Sequence, residues 1–263
     1  MNKRTALEIG AMLVLPDRPL QIKLLGDSIT HGCGSPTFRD DGAVIVETSE
    51  WVQRRNDNGY CWANLFSRYV QDVCGCKVIN NAMAGTDITH AIQLYDQLIS
   101  EDDDIVMVMY GCNNRHEFYK DGSYPQHTRE EHMRQFLAYV SQLRERLEED
   151  RKDYVFLSGP CDSLKSESEN GVEYIPEPGT RLVRHFHMWD LNNMLMKDSV
   201  EHGYPFIPVY LEMIRYFAAR GADPRDYREW CEPAGGVHLN EAGSRLVYRL
   251  VLEGLGLSVP PTV

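Results

Sequence analysis

The chain has 263 residues, 43% of them apolar and 25% charged, with a formal net charge of −12. That length holds one substantial core, and the even composition sets the expectation of a single domain over residues 1–263. A surface this acidic repels nucleic acid and anionic membranes, and no basic block offsets it, so neither is expected as a partner.

The N-terminal "MNKRTALEIGAMLVLPDRP" starts basic but lacks the long apolar core and small-residue cleavage site of a signal peptide. No stretch approaches the ~18 apolar residues that cross a bilayer, and a cytoplasmic protein is the expectation. The first candidate strand is Gln21–Leu25, which runs directly into "GDSITHG". A long connection over 33–58 precedes a helix at Tyr60–Val73, and "GAVIVETSEWVQ" within it can pair as a hairpin. Next come a strand at Lys77–Asn80 and a helix at Asp87–Ile99, with Ile88, Ile92, Tyr95 and Leu98 on one face. A strand at Asp104–Tyr110 leads to a helix at Arg129–Glu149. That helix opens on a Thr-x-x-Glu capping box at Thr128 and Glu131.

A strand at Tyr154–Ser158 is followed by a second long connection, 161–184, rich in Ser, Glu, Gly and Pro. A helix at His185–His202, a strand at Phe206–Val209 and a helix at Tyr210–Arg220 follow, and Asn240 is placed to cap a last helix ending near Gly254. Five alternations of strand and helix predict an α/β protein, a three-layer α/β/α sandwich with a five-stranded parallel sheet; a TIM barrel needs eight. Ligands of such folds bind beyond the C-terminal strand ends, where strand order reverses. The seven cysteines are odd in number and lack paired zinc spacing, which fits reduced thiols used as small core residues and no zinc site.

Ser28 follows the first strand directly, so its hydroxyl and backbone N–H belong at the mouth of the sheet. A serine nucleophile needs a base, and its tetrahedral intermediate needs donors for the oxyanion. The next two strand ends offer such donors. "NAMAGTD" holds Gly85, where a bare backbone N–H can approach a ligand, and "GCNN" holds Asn113 with its side-chain amide. A base is available in "GGVHLNEAG", where His238 sits in a glycine-flanked turn before the last helix.

These four segments resemble the sequence blocks of the SGNH hydrolases, the GDSL esterase/lipase superfamily. "GDSIT" matches the first block and its serine, here Ser28; the second-block glycine falls on Gly85; the Gly-x-Asn-Asp block falls on Gly111 to Asn114; and the last-block histidine falls on His238. The blocks run in order from residue 26 to 243. The resemblance implies a flavodoxin-like sandwich, no metal or other cofactor, and ester hydrolysis through an acyl-enzyme. In it Ser28 is the nucleophile and His238 the base, and the Ser28 N–H, Gly85 N–H and Asn113 amide form the oxyanion hole.

The chain departs from the family twice. Asn114 stands where the third block usually ends in Asp, and Gly235 stands where the last block usually reads Asp-x-x-His. A triad carboxylate fixes the histidine tautomer and stabilises the imidazolium. Three readings remain for its absence. A backbone carbonyl takes the Nδ1 proton and leaves a Ser–His dyad, which is the leading one. Alternatively Glu232 reaches in from the same loop, or less easily Asp223 or Asp226. In the third reading the site is inactive.

The expected function is a serine esterase acting on short acyl esters, above all acetyl, on a small-molecule or oligosaccharide substrate. An acyltransferase and a carbohydrate-binding pseudoenzyme are the alternatives. Other residues carry weaker signals. His31 is a substrate contact or a solvated or capping residue. Arg115, His116 and Glu117 at the mouth read as a hydrophilic loop slightly more than as contacts to an acidic or sugar substrate, His185 and His187 do not face each other on a helix, and Trp51, Trp189 and Trp230 read as core more than as sugar platforms.

Overall fold

The computed structural model describes residues 4–35, 37–49, 51–119, 127–160, 172–174, 181–184, 187–222, 230–231 and 238–260. In chain order its elements begin with α1 (Ala6–Val14), β1 (Gln21–Gly26), α2 (Ser28–His31), β2 (Val44–Glu47), β3 (Val52–Arg54), α3 (Trp62–Cys74) and β4 (Lys77–Asn80). They continue with α4 (Ile88–Gln93), α5 (Tyr95–Leu98), β5 (Ile105–Met109), β6 (His116–Tyr119), α6 (Arg129–Glu149) and β7 (Asp153–Leu157). The last are β8 (Val172–Tyr174), β9 (Arg181–Arg184), α7 (Met188–His202), β10 (Phe206–Ile207), α8 (Val209–Ala219) and α9 (Glu241–Gly254).

Five strands form one parallel sheet in the order β10-β7-β5-β1-β4. β5 reads as an unbroken apolar run, and β1 as one interrupted by the buried Lys23, because helices cover both faces; Ile22, Leu24, Leu25, Ile105 and Val106 are fully buried. Each such side chain contributes ~1.5–3 kcal/mol on leaving water. Strand order reverses between β1 and its neighbours β4 and β5, which puts the switch point at the C-terminal end of β1.

The helices follow local signals. α6 starts at its Thr128/Glu131 capping box and buries Phe136, Val140, Leu143 and Leu147 along one stripe. α9 starts at Asn240, whose Oδ1 accepts the Gly243 N–H at 3.0 Å. The helix expected over Asp87–Ile99 is broken at Leu94 into α4 and α5; the kink still buries Tyr95 and Leu98. α1 has a capping box of its own, Thr5 with Glu8, and buries Ile9 and Leu13.

The connection over 33–58 does carry the expected hairpin, β2 with β3, antiparallel. The region after β5 departs from expectation. His116 and Glu117, expected in a hydrophilic loop, lie in β6, which pairs antiparallel with β9, and β9 pairs with β8 in turn. The second long connection therefore supplies two strands to a small separate sheet. No helix among the described residues is long and apolar enough to cross a membrane. Of the six described cysteines none is in a disulfide, and Cys61, Cys76, Cys112 and Cys231 are buried.

Candidate active site

β1 hands the chain to the mouth through Gly26. A Cβ there would lie 2.4 Å from Thr30 Oγ1 and 2.8 Å from the Met109 carbonyl, so glycine is what lets the turn press against β5. The next residue, Asp27, caps α2: its Oδ1 accepts the Ile29 N–H at 3.0 Å. The cap starts a four-residue helix at Ser28. Asp27 is only 2% exposed. Burial pushes its carboxyl up to about 7, against the opposing pull of the Ile29 hydrogen bond and the Arg115 guanidinium. Arg115 is itself buried, at 1% exposure, so it is no part of a solvated loop.

Ser28 is half-buried, and its Oγ lies 3.0 Å from Nε2 of His238, 210 residues away in sequence. This is hydrogen-bond distance between a hydroxyl and an imidazole nitrogen. The histidine is held by its neighbours. Leu239 bridges to Cys231, the Asn240 N–H donates to the Trp230 carbonyl at 2.9 Å, and Asn240 caps α9.

The two candidate oxyanion donors arrive on the strands flanking β1. Gly85, in the turn after β4, has φ +73°, a backbone conformation that side chains disfavour. Asn113, after β5, donates Nδ2–H to the Thr86 carbonyl at 2.7 Å. An amide nitrogen carries two hydrogens, and this bond uses one. Its neighbour Asn114 works in the opposite sense: its Oδ1 accepts the Ile88 N–H at 3.1 Å. Two adjacent side chains thus hold the Gly85 turn from one side. The Asn114 bond also explains the departure from the family's Asp, because an acceptor oxygen is all that it requires and both residue types have one.

The nucleophile turn is clasped to the hairpin insertion. His31 is buried and donates Nε2–H to the Arg54 carbonyl at 2.9 Å, and the Asn56 side chain donates back to the His31 carbonyl at 2.9 Å. Arg55 Nε donates to Asn81 Oδ1 at 3.0 Å. His31 is therefore neither a substrate contact nor solvated; burial holds its pKa below the ordinary value. His187 is the N-cap residue of α7, and His185 lies outside the described residues. Trp230 packs against Tyr216 and Phe217, while Trp189 is half-exposed beside Tyr210.

Glu232, Asp223, Asp226 and Gly235, which bear on the third triad member, lie outside the described residues. Sequence reasoning passed over Asp27 and Asn56. Asp27 had a signal, an Asp immediately before a helix start. Asn56 had none, since its partner is a carbonyl 25 residues back. Among the described residues no group of three or more His, Cys, Asp or Glu is placed to hold a metal ion.

A strand-end serine against a histidine, on a five-stranded parallel sheet, defines a class of α/β hydrolytic fold. The model of the GDSL-like Lipase/Acylhydrolase family matches residues 24–246, and the chain belongs to that family. Membership implies an esterase or related acylhydrolase. Among solved structures, the chain is similar to a protein from Parabacteroides merdae described as a GDSL-like lipase, with TM-score 0.61, 16% identity, and 93% of this chain and 99% of that one covered. It is also similar to Axe2, an acetylxylan esterase from Geobacillus stearothermophilus, with TM-score 0.59, 16% identity and coverage of 91% and 95%. At these identities the likeness is one of fold. No curated protein matches the chain in sequence.

Proposed function

We propose that the protein is a serine esterase that removes short acyl groups, above all acetyl, from a carbohydrate. The observation that carries the reading is the 3.0 Å contact between Ser28 Oγ and His238 Nε2. In the proposed reaction His238 Nε2 takes the Ser28 proton as Oγ bonds to the ester carbonyl carbon, and the carbonyl electron pair moves onto oxygen. The Ser28 and Gly85 N–H groups and the second Asn113 amide hydrogen receive that oxyanion. Collapse breaks the bond to the alkoxide, which takes the proton from His238. Water then repeats the sequence, releasing the acid and restoring Ser28.

General-base help contributes ~10²–10⁴-fold and each oxyanion donor ~10²–10³-fold. A pseudoenzyme is disfavoured because a decayed site has no reason to keep serine and histidine in contact across 210 residues of chain. The acetyl and carbohydrate parts rest on the polar residues around the mouth and on the likeness to an acetylxylan esterase.

The test is hydrolysis of p-nitrophenyl acetate by wild type and Ser28→Ala at neutral pH. Turnover lost in the variant supports the reading; equal background rates in both overturn it. Product analysis with an added acceptor alcohol separates hydrolysis from acyl transfer.

A further inference from the structure

Beside Asn113 a cleft of about 170 Å³ opens between the start of α4 and the first half of α6. Asn113 and Asn114 line it together with Asp87 of the α4 cap and Gln135, Phe136 and Tyr139 of α6. It is well below the ~300–1,000 Å³ of pockets for drug-sized ligands, so its occupant is one ring-sized group. We infer that this cleft is a subsite for one sugar ring of the substrate. The inference deepens the proposed esterase function and rests on it for the position of the ester, at the Asn113 amide.

The chemistry of the lining selects the ligand. Asn114 commits its Oδ1 to the Ile88 N–H and so presents its NH₂ donors. Gln135 donates Nε2–H to the Tyr139 hydroxyl at 3.0 Å, which leaves the Gln135 carbonyl as an acceptor and the Tyr139 O–H as a donor. The Asp87 carboxylate adds a second acceptor, with its side chain 30% exposed. The lining therefore offers both donors and acceptors, beside a wall that Phe136 and the Tyr139 ring make partly apolar. A hydrocarbon tail in this space would strip water from each of these groups and return no hydrogen bond. A pyranose returns them, because each hydroxyl both donates and accepts, and its C–H face packs on aromatic carbon. The α4 and α6 parts of the wall stand on helix starts fixed by side-chain caps, Asp87 and Thr128, so the backbone that carries them is set before a ligand arrives.

The experiment uses full-length Ser28→Ala protein, methyl β-xylopyranoside and methyl β-glucopyranoside as probes, and octanoate as the rival, with binding followed by amide chemical shifts in NMR. The expected result is saturable binding of at least one glycoside that moves the Asn114 and Gln135 side-chain signals. Tyr139→Phe and Gln135→Leu, each checked for native fold by circular dichroism, should weaken it about 3- to 10-fold, the scale of one hydrogen bond. No shift with either glycoside, binding unchanged in both variants, or octanoate binding at these signals overturns the inference. The p-nitrophenyl acetate test is independent. Ester turnover without glycoside binding removes the subsite and leaves the esterase; glycoside binding lost in the variants without ester turnover keeps the subsite and removes the esterase.

Discussion

Replacing Asp27 by asparagine removes a charge from beneath the nucleophile while keeping the acceptor oxygen that caps α2. Burial raises the folded carboxyl from 3.8 to about 7. The folded protein thus holds a proton that the unfolded chain releases between about pH 4 and pH 7. Over that window stability falls as pH rises, because the native state binds more protons than the unfolded state. A shift of roughly 3 units at ~1.4 kcal/mol each puts the full cost near ~4 kcal/mol, complete above pH 7. The substituted amide does not titrate, and its oxygen still accepts the Ile29 N–H. Asp27→Asn should therefore be more stable than wild type by up to ~4 kcal/mol at pH 8, with the gap closing towards pH 4. Urea unfolding at pH 5 and pH 8 measures it. A gap of equal size at both pH values, or a variant destabilised at pH 8, would show that Asp27 is ionised and satisfied in the folded protein.

Other residues give further expectations. Asn113→Ala should lower kcat for p-nitrophenyl acetate by ~10²–10³-fold with little change in KM, because the amide serves the oxyanion more than the bound ester; a pure KM effect sinks that role. Asn114→Asp should retain near-wild-type turnover, since the carboxylate oxygen also accepts the Ile88 N–H, whereas Asn114→Leu should lose activity by releasing the Gly85 turn. His31→Gln should keep a donor for the Arg54 carbonyl. Burial depresses the His31 pKa, so the unfolded chain takes up a proton first as pH falls below ~6.5 and wild type loses stability there; thermal melts at pH 7 and pH 5 should show a smaller loss in the variant.

What the sequence made legible is what depends on local pattern. β1 and β5 show as short, largely apolar runs because both sheet faces are covered there, and α6 shows because its cap and its stripe agree. The Ser28, Gly85 and Asn113 positions follow from strand ends, which adjacency in a parallel sheet brings to one mouth. α1 announces itself by the same Thr-x-x-Glu pattern as α6, at Thr5 and Glu8, and weighing that stretch only as a leader hides it. The β6, β8 and β9 sheet was not legible in the same way. Its strands are three or four residues long, and His116 pairs with Arg184 from beyond both α6 and β7, so no local period marks it. The burial of His31 and Arg115 was equally hidden, because each is covered by segments distant in sequence or by the turn of its own block.

The contact between Ser28 and His238 has a consequence for timing. The serine lies in the first strand–helix turn and the histidine just before the last helix. A chain made from its N-terminus carries the serine through nearly all of its synthesis with no imidazole against it. Reactivity therefore switches on only when α9 docks beside α3 and brings His238 against Ser28. A serine-directed probe added during refolding would label the protein at the pace of that last docking step, which makes the nucleophile a clock for the completion of its own fold.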